Sequence, residues 1–164
     1  MSASRTQSEP VLSITRTFDA PRALVFEMWT NPEHLKHWWG PKIFTAPIAE
    51  LDVRPGGEYL LCMQWPDGRY ACNCGEFKEI VPPERLVMTQ RFCDEQRNPI
   101  SPQDHGLPND FPSEMMLTVT LAEHDGKTTM TIVQTIPAGL AAEMGALEGW
   151  NQSFDKMAAY LGTR

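Results

Sequence analysis

The chain has no apolar run approaching the roughly 20 residues that a bilayer-spanning helix needs, so membrane insertion is not expected. Its first ten residues are polar and hold no secretory apolar stretch, which makes the cytoplasm the default location. Positive charge is short: 14 Lys and Arg stand against 21 Asp and Glu, a net charge of −7. A nucleic-acid partner or an anionic membrane needs a basic face, so neither is expected. The acidic excess reads as solubility. Cysteine is sparse: of four, none stands at the two-residue spacing of a zinc knuckle or thioredoxin-like site. There is no Gly-x-Ser-x-Gly elbow, no phosphate-binding glycine loop and no legible nucleophile–base pair. Pro55-Gly56-Gly57 lacks the lysine and following helix of a phosphate loop and reads as a turn. His34 and His37 stand three apart, but no third ligand accompanies them, so neither a metal nor another cofactor is expected.

What is present is one domain's worth of secondary structure in 164 residues. Residues 1–9 read as a flexible tail and 10–164 as a single domain. Leu12, Ile14 and Phe18 alternate with β-branched neighbours and predict a strand over 11–18. Asp19 is suited to cap a helix whose first turn holds Pro21, and Asn31 to cap a second that opens on Pro32. Val25, Met28 and Trp29, then Leu35 and Trp38, recur at helical spacing. Six strands follow, over 42–53, 58–65, 69–80, 85–92, 114–123 and 128–136. Pro66-Asp67-Gly68 and His124-Asp125-Gly126 mark hairpins, and a bulge is expected near Gly75 to Glu79. Residues 93–112 form a long irregular connection of the kind often used as a lid. Leu140, Met144, Leu147, Trp150, Phe154, Met157 and Leu161 step by three or four and predict one continuous helix from about 140 to 161.

The motifs Phe18-Asp19-Ala20-Pro21, Trp29-Thr30-Asn31-Pro32-Glu33, Trp38-Trp39, Pro55-Gly56-Gly57, Pro82-Pro83-Glu84-Arg85-Leu86 and Gly149-Trp150 run through nearly the whole chain. In this order and spacing the sequence resembles the AHSA1-like branch (activator of the Hsp90 ATPase homologue) of the START/Bet v 1-like, or SRPBCC, superfamily. The resemblance implies an α+β helix-grip fold. In it a curled seven-stranded antiparallel sheet surrounds a long C-terminal helix, and two short helices follow strand one. It also implies a hydrophobic cavity between sheet and helix, and it makes a homodimer plausible. It supplies no shared catalytic set.

The cavity wall is expected to draw on Trp29 and Trp38 from the helix pair, and on Tyr59, Leu61, Met63 and Phe77 from the sheet. Leu117 and Val119 join them from the sixth strand, and Met144, Leu147, Trp150 and Phe154 from the last helix. The plainer reading of each is core filling. Asn73, Gln90, Arg91, Thr118 and Gln134 are polar residues in strands; those that turn inward would orient a ligand, with Asn73 and Arg91 the named candidates. Glu143 falls inside the apolar stripe of a continuous last helix and is the one catalytic candidate, as a general acid or base. Its alternative is an exposed first-turn acid. Cys72 and Cys74 share a strand face, and Cys62 on the neighbouring strand could pair across, although small apolar fillers are the simpler reading. Three functions follow: binding a small hydrophobic or amphipathic molecule, acid–base catalysis of a cyclase or hydrolase type in the same cavity, or chaperone modulation through a protein partner.

Overall fold

The structure is a computed structural model that describes residues 10–163. The expected tail, residues 1–9, lies outside the described residues. Strand β1 (Val11–Phe18) leads into α1 (Arg22–Thr30) and α2 (Pro32–Leu35). Strands β2 (Thr45–Leu51), β3 (Glu58–Gln64), β4 (Tyr70–Val81) and β5 (Arg85–Cys93) follow. After a short 3-10 turn come β6 (Glu114–His124), β7 (Lys127–Pro137), α3 (Ala138–Glu143) and α4 (Ala146–Leu161).

The seven strands form one antiparallel sheet in the order β1-β7-β6-β5-β4-β3-β2. The expectation of a curled sheet is corrected here. The sheet is open, with β1 and β2 as separate edges, and it is not strongly curled. Sheets bend chiefly at bulges. Among the described residues, register shifts occur only near Val11, between Thr45 and Ile48, and between Phe77 and Glu79. The β3–β4, β5–β6 and β6–β7 ladders run without interruption.

Strict alternation divides the sheet into two faces. The front face carries Leu12, Ile14, Tyr59, Leu61, Phe77, Leu86, Met88, Leu117, Val119, Met130 and Ile132, all buried in the main core beneath the helices. The back face carries a separate small cluster of Leu60, Cys62, Cys72, Cys74 and Cys93 with Ile48 against it. Cys62 and Cys72 are paired directly across β3 and β4 and are joined as a disulfide, whereas Cys74 and Cys93 are buried free thiols. All four cysteines lie on the side of the sheet away from the helices.

Asn31 caps α2 as expected, its Oδ1 accepting from Glu33 N at 3.0 Å. Asp19 does not cap α1. Pro21 precedes that helix in extended conformation, and Glu123 reaches over from the end of β6 to accept from Arg22 N at 2.9 Å. The helix is thus capped by tertiary contact. The predicted continuous C-terminal helix is also corrected: α3 ends at Glu143 and α4 starts at Ala146. Between them Gly145 adopts φ 71°, a left-handed conformation that only glycine takes without strain and that interrupts the hydrogen-bond ladder.

Candidate binding cavity

Toward one end of the front face the large core side chains give way, and a cavity of about 190 Å³ opens between the sheet and α4. The strands contribute Met63, Asn73, Gln90, Phe92, Met115 and Gln134, with Ile136 beyond them. The far wall is Ala146, Gly149, Trp150 and Ser153 of α4 together with the Trp39-Gly40-Pro41 corner. Phe111 brings the 93–112 segment into the wall, packed on Phe92 at 5.8 Å between ring centroids. No charged side chain lines this space.

An aromatic group closes the inner side of the cavity. Trp150 stacks on Phe154 at 5.4 Å and meets Trp39 edge-on at 5.7 Å, and Trp29 packs edge-on against Trp38 at 4.7 Å. Such ring pairs add about 0.5–1.5 kcal/mol each beyond their burial. Trp38 donates its indole N–H to Met28 O at 2.9 Å, which fixes the corner after α2. Lys156 of α4 donates to Pro41 O and Phe44 O, each at 3.1 Å, and holds the loop that forms the rim. Partial burial pulls the Lys156 ammonium below the usual lysine range.

Three polar groups cross the cavity in a chain. Trp150 Nε1 donates to Gln134 Oε1 at 3.0 Å, and Gln134 Nε2 donates to Gln90 Oε1 at 2.6 Å. Gln90 and Gln134 are 2% and 6% exposed. They sit on β5 and β7, so their side chains meet over β6, where Met115 pairs with Gln90 and Leu117 with Gln134.

Of the residues expected in the wall, Met63, Asn73 and Trp150 line the cavity. Trp29, Trp38, Tyr59, Leu61, Phe77, Leu117, Val119 and Phe154 lie behind it as closed core. Met144 and Leu147 are 37% and 48% exposed, because the break at Gly145 resets the helical phase and turns both outward. Glu143 is exposed at the end of α3, which removes it as an acid or base of the cavity. Arg91 follows the inward Gln90 and therefore points to the back face, where it lines a polar concavity with Glu58, Glu76 and Lys78. Asn73 keeps one tie to that strand through Nδ2 to Arg91 O at 3.5 Å. Phe92, Phe111, Met115 and Ile136 are wall residues that the sequence reading missed. Strand parity alone marks Phe92 and Met115, since both share the face of Gln90 or lie opposite it.

Burial raises the Tyr59 phenol well above its ordinary range, and its hydroxyl donates to Thr89 O. Burial, with help from Cys74, pushes the Cys93 thiol up to about 12. Both groups are therefore neutral and unreactive near neutral pH. His34 Nδ1 lies 2.7 Å from Tyr160 Oη and His37 stacks on the same ring at 4.2 Å, so His34 of α2 and His37 just beyond it both pack on α4. Among the described residues no group of three or more His, Cys, Asp or Glu is placed to hold a metal ion. No described helix is long and apolar enough to cross a membrane.

Solved structures with the same architecture include a protein from Chromobacterium violaceum, 30% identical over 91% of this chain and 94% of that one, with a TM-score of 0.73. A protein from Arthrobacter aurescens is 29% identical over 93% and 86%, with a TM-score of 0.78. An AHSA1 protein from Silicibacter pomeroyi, 20% identical over 93% and 97% with a TM-score of 0.73, shares the fold. No curated protein matches the chain. The family model described as Activator of Hsp90 ATPase homolog 1-like protein matches residues 19–162, and the chain belongs to that family.

Proposed function

We propose that this protein binds one small hydrophobic or amphipathic molecule in the cavity between the sheet and α4. The observation that carries the reading is an apolar space of about 190 Å³ with no charged side chain in its wall and a hydrogen-bonded glutamine pair on its floor. That is the make-up of a small-molecule site: apolar walls supply affinity and a few placed polar groups supply orientation. Met63, Asn73 and Trp150 are the contacts retained from the sequence, with Phe111 as the gate contributed by the 93–112 segment. The reading takes the cytoplasm as the location and a homodimer as the assembly; sedimentation tests the latter.

Native mass spectrometry of protein purified from its own host is the direct test. A retained, releasable small molecule supports the reading, and a protein that carries nothing and takes up no apolar probe overturns it. A second reading is favoured by the family match. The family's name, activator of an Hsp90 ATPase, points by itself to modulation of a chaperone ATPase rather than to a small ligand. Stimulation of an Hsp90-type ATPase by the added protein, unaffected by filling the cavity, would favour this second reading. The acid–base reading has lost Glu143, the residue on which it stood.

A further inference from the structure

We infer that the cavity selects a neutral ligand bearing a carbonyl oxygen, and that Gln90 Nε2 is the donor that reads it. This rests on the cavity reading above. An indole N–H can only donate, so Trp150 fixes Gln134 with its oxygen toward the ring. The Gln134 amide nitrogen then faces Gln90, and as a donor it fixes Gln90 with its own oxygen toward Gln134. Neither amide can flip without setting donor against donor. Gln90 is left with its NH₂ at the free end of the chain.

Gln90 is 2% exposed and lines the cavity, yet among the described residues no acceptor meets its Nε2. Nor is that nitrogen sealed in the core, since Trp29 Nε1 is the one completely enclosed side-chain polar atom without a partner among the described residues. A buried donor of this kind gains from an incoming acceptor and penalises a ligand that lacks one. The wall holds no cation, so a carboxylate would lose its hydration without compensation. A carbonyl oxygen accepts without bringing a donor of its own. The class is therefore a ketone, ester or tertiary amide on an apolar body, with its oxygen toward β5.

Three fragment probes of like shape test this by NMR titration of the isotope-labelled protein: acetophenone, cumene and benzoate. In the wild-type chain acetophenone is expected to bind about tenfold more tightly than cumene, with the Gln90 side-chain amide signal shifting only for the ketone. Benzoate is expected to bind more weakly than acetophenone. Gln90→Met keeps the length and removes the donor, and should bring acetophenone and cumene within about twofold of each other. Trp150→Phe releases the amide polarity and should shrink the same preference, which serves if Gln90→Met does not fold. Equal binding of ketone and hydrocarbon by the wild-type protein overturns the inference and leaves the cavity reading standing. Tightest binding by benzoate overturns the neutral class. No perturbation of cavity residues by any probe overturns both readings.

Discussion

Replacing Gln134 by leucine removes the middle member of the Trp150–Gln134–Gln90 chain. The half-buried indole N–H of Trp150 then meets an alkyl group, at a cost of about 1–2 kcal/mol for a partly desolvated, unpaired donor. Leucine returns roughly 1 kcal/mol through added apolar burial. Gln90 Oε1 opens onto the cavity and takes water, so it adds little. The expected net loss in the single variant is therefore only about 0–1 kcal/mol, for a side chain that is 6% exposed. Trp150→Phe removes the donor itself, so adding Gln134→Leu to that background leaves no indole to strand. The two substitutions should therefore couple by about 1–2 kcal/mol. Urea unfolding followed by far-UV circular dichroism measures all four corners of the cycle without relying on tryptophan fluorescence. Additivity within about 0.5 kcal/mol would refute the hydrogen bond and with it the fixed polarity of the chain.

A Cβ at Gly75 would lie 2.1 Å from Thr89 O, a backbone atom that also accepts from the Tyr59 hydroxyl, so Gly75→Ala should destabilise by about 1–3 kcal/mol or more; an unchanged melting midpoint would contradict the packing. Reducing the Cys62–Cys72 disulfide, which closes a separation of 10 residues, should cost about 2–3 kcal/mol in the chain-entropy picture, read as a lower urea midpoint in dithiothreitol. The folded Cys93 thiol sits at about 12 against 9.0 for the ordinary group. The folded state therefore holds the proton longer than the unfolded chain, and its stabilising effect is complete below pH 9.0 and lost progressively toward about 12. Stability measured across that range should fall with rising pH, and Cys93→Ala should flatten the fall. Iodoacetamide at about pH 8 should label Cys74 and Cys93 only after unfolding, and rapid labelling of the native protein would show the thiols to be accessible.

The strands were legible because alternation is local. β1 runs over the expected residues, and the expected bulge appears as the shift between Phe77 and Glu79. The C-terminal helix was legible as an apolar stripe but not as two pieces. A single glycine in the stripe does not announce whether it continues the helix or adopts a left-handed turn, and at Gly145 the latter won. That local outcome turned Met144 and Leu147 outward and removed Glu143 from consideration. The cap of α1 was misread for a different reason: Glu123 is distant in sequence and reaches Arg22 only once the β6–β7 hairpin is in place.

Composition, alternation and motif order by themselves determined a family and an α+β architecture with the C-terminal helix over an antiparallel sheet. They also marked Gln90 and Gln134 as polar residues in strands that needed partners if buried. Only the tertiary structure decided that the sheet stays open, that the four cysteines gather on the back face, and which core aromatics meet empty space. It alone decided that Trp150 lies beside Gln134 and that Gln134 reaches Gln90 across β6. The physical reason is that periodicity assigns a side chain to a face, whereas a cavity and the direction of its hydrogen bonds depend on how two faces from distant segments fail to fill the space between them.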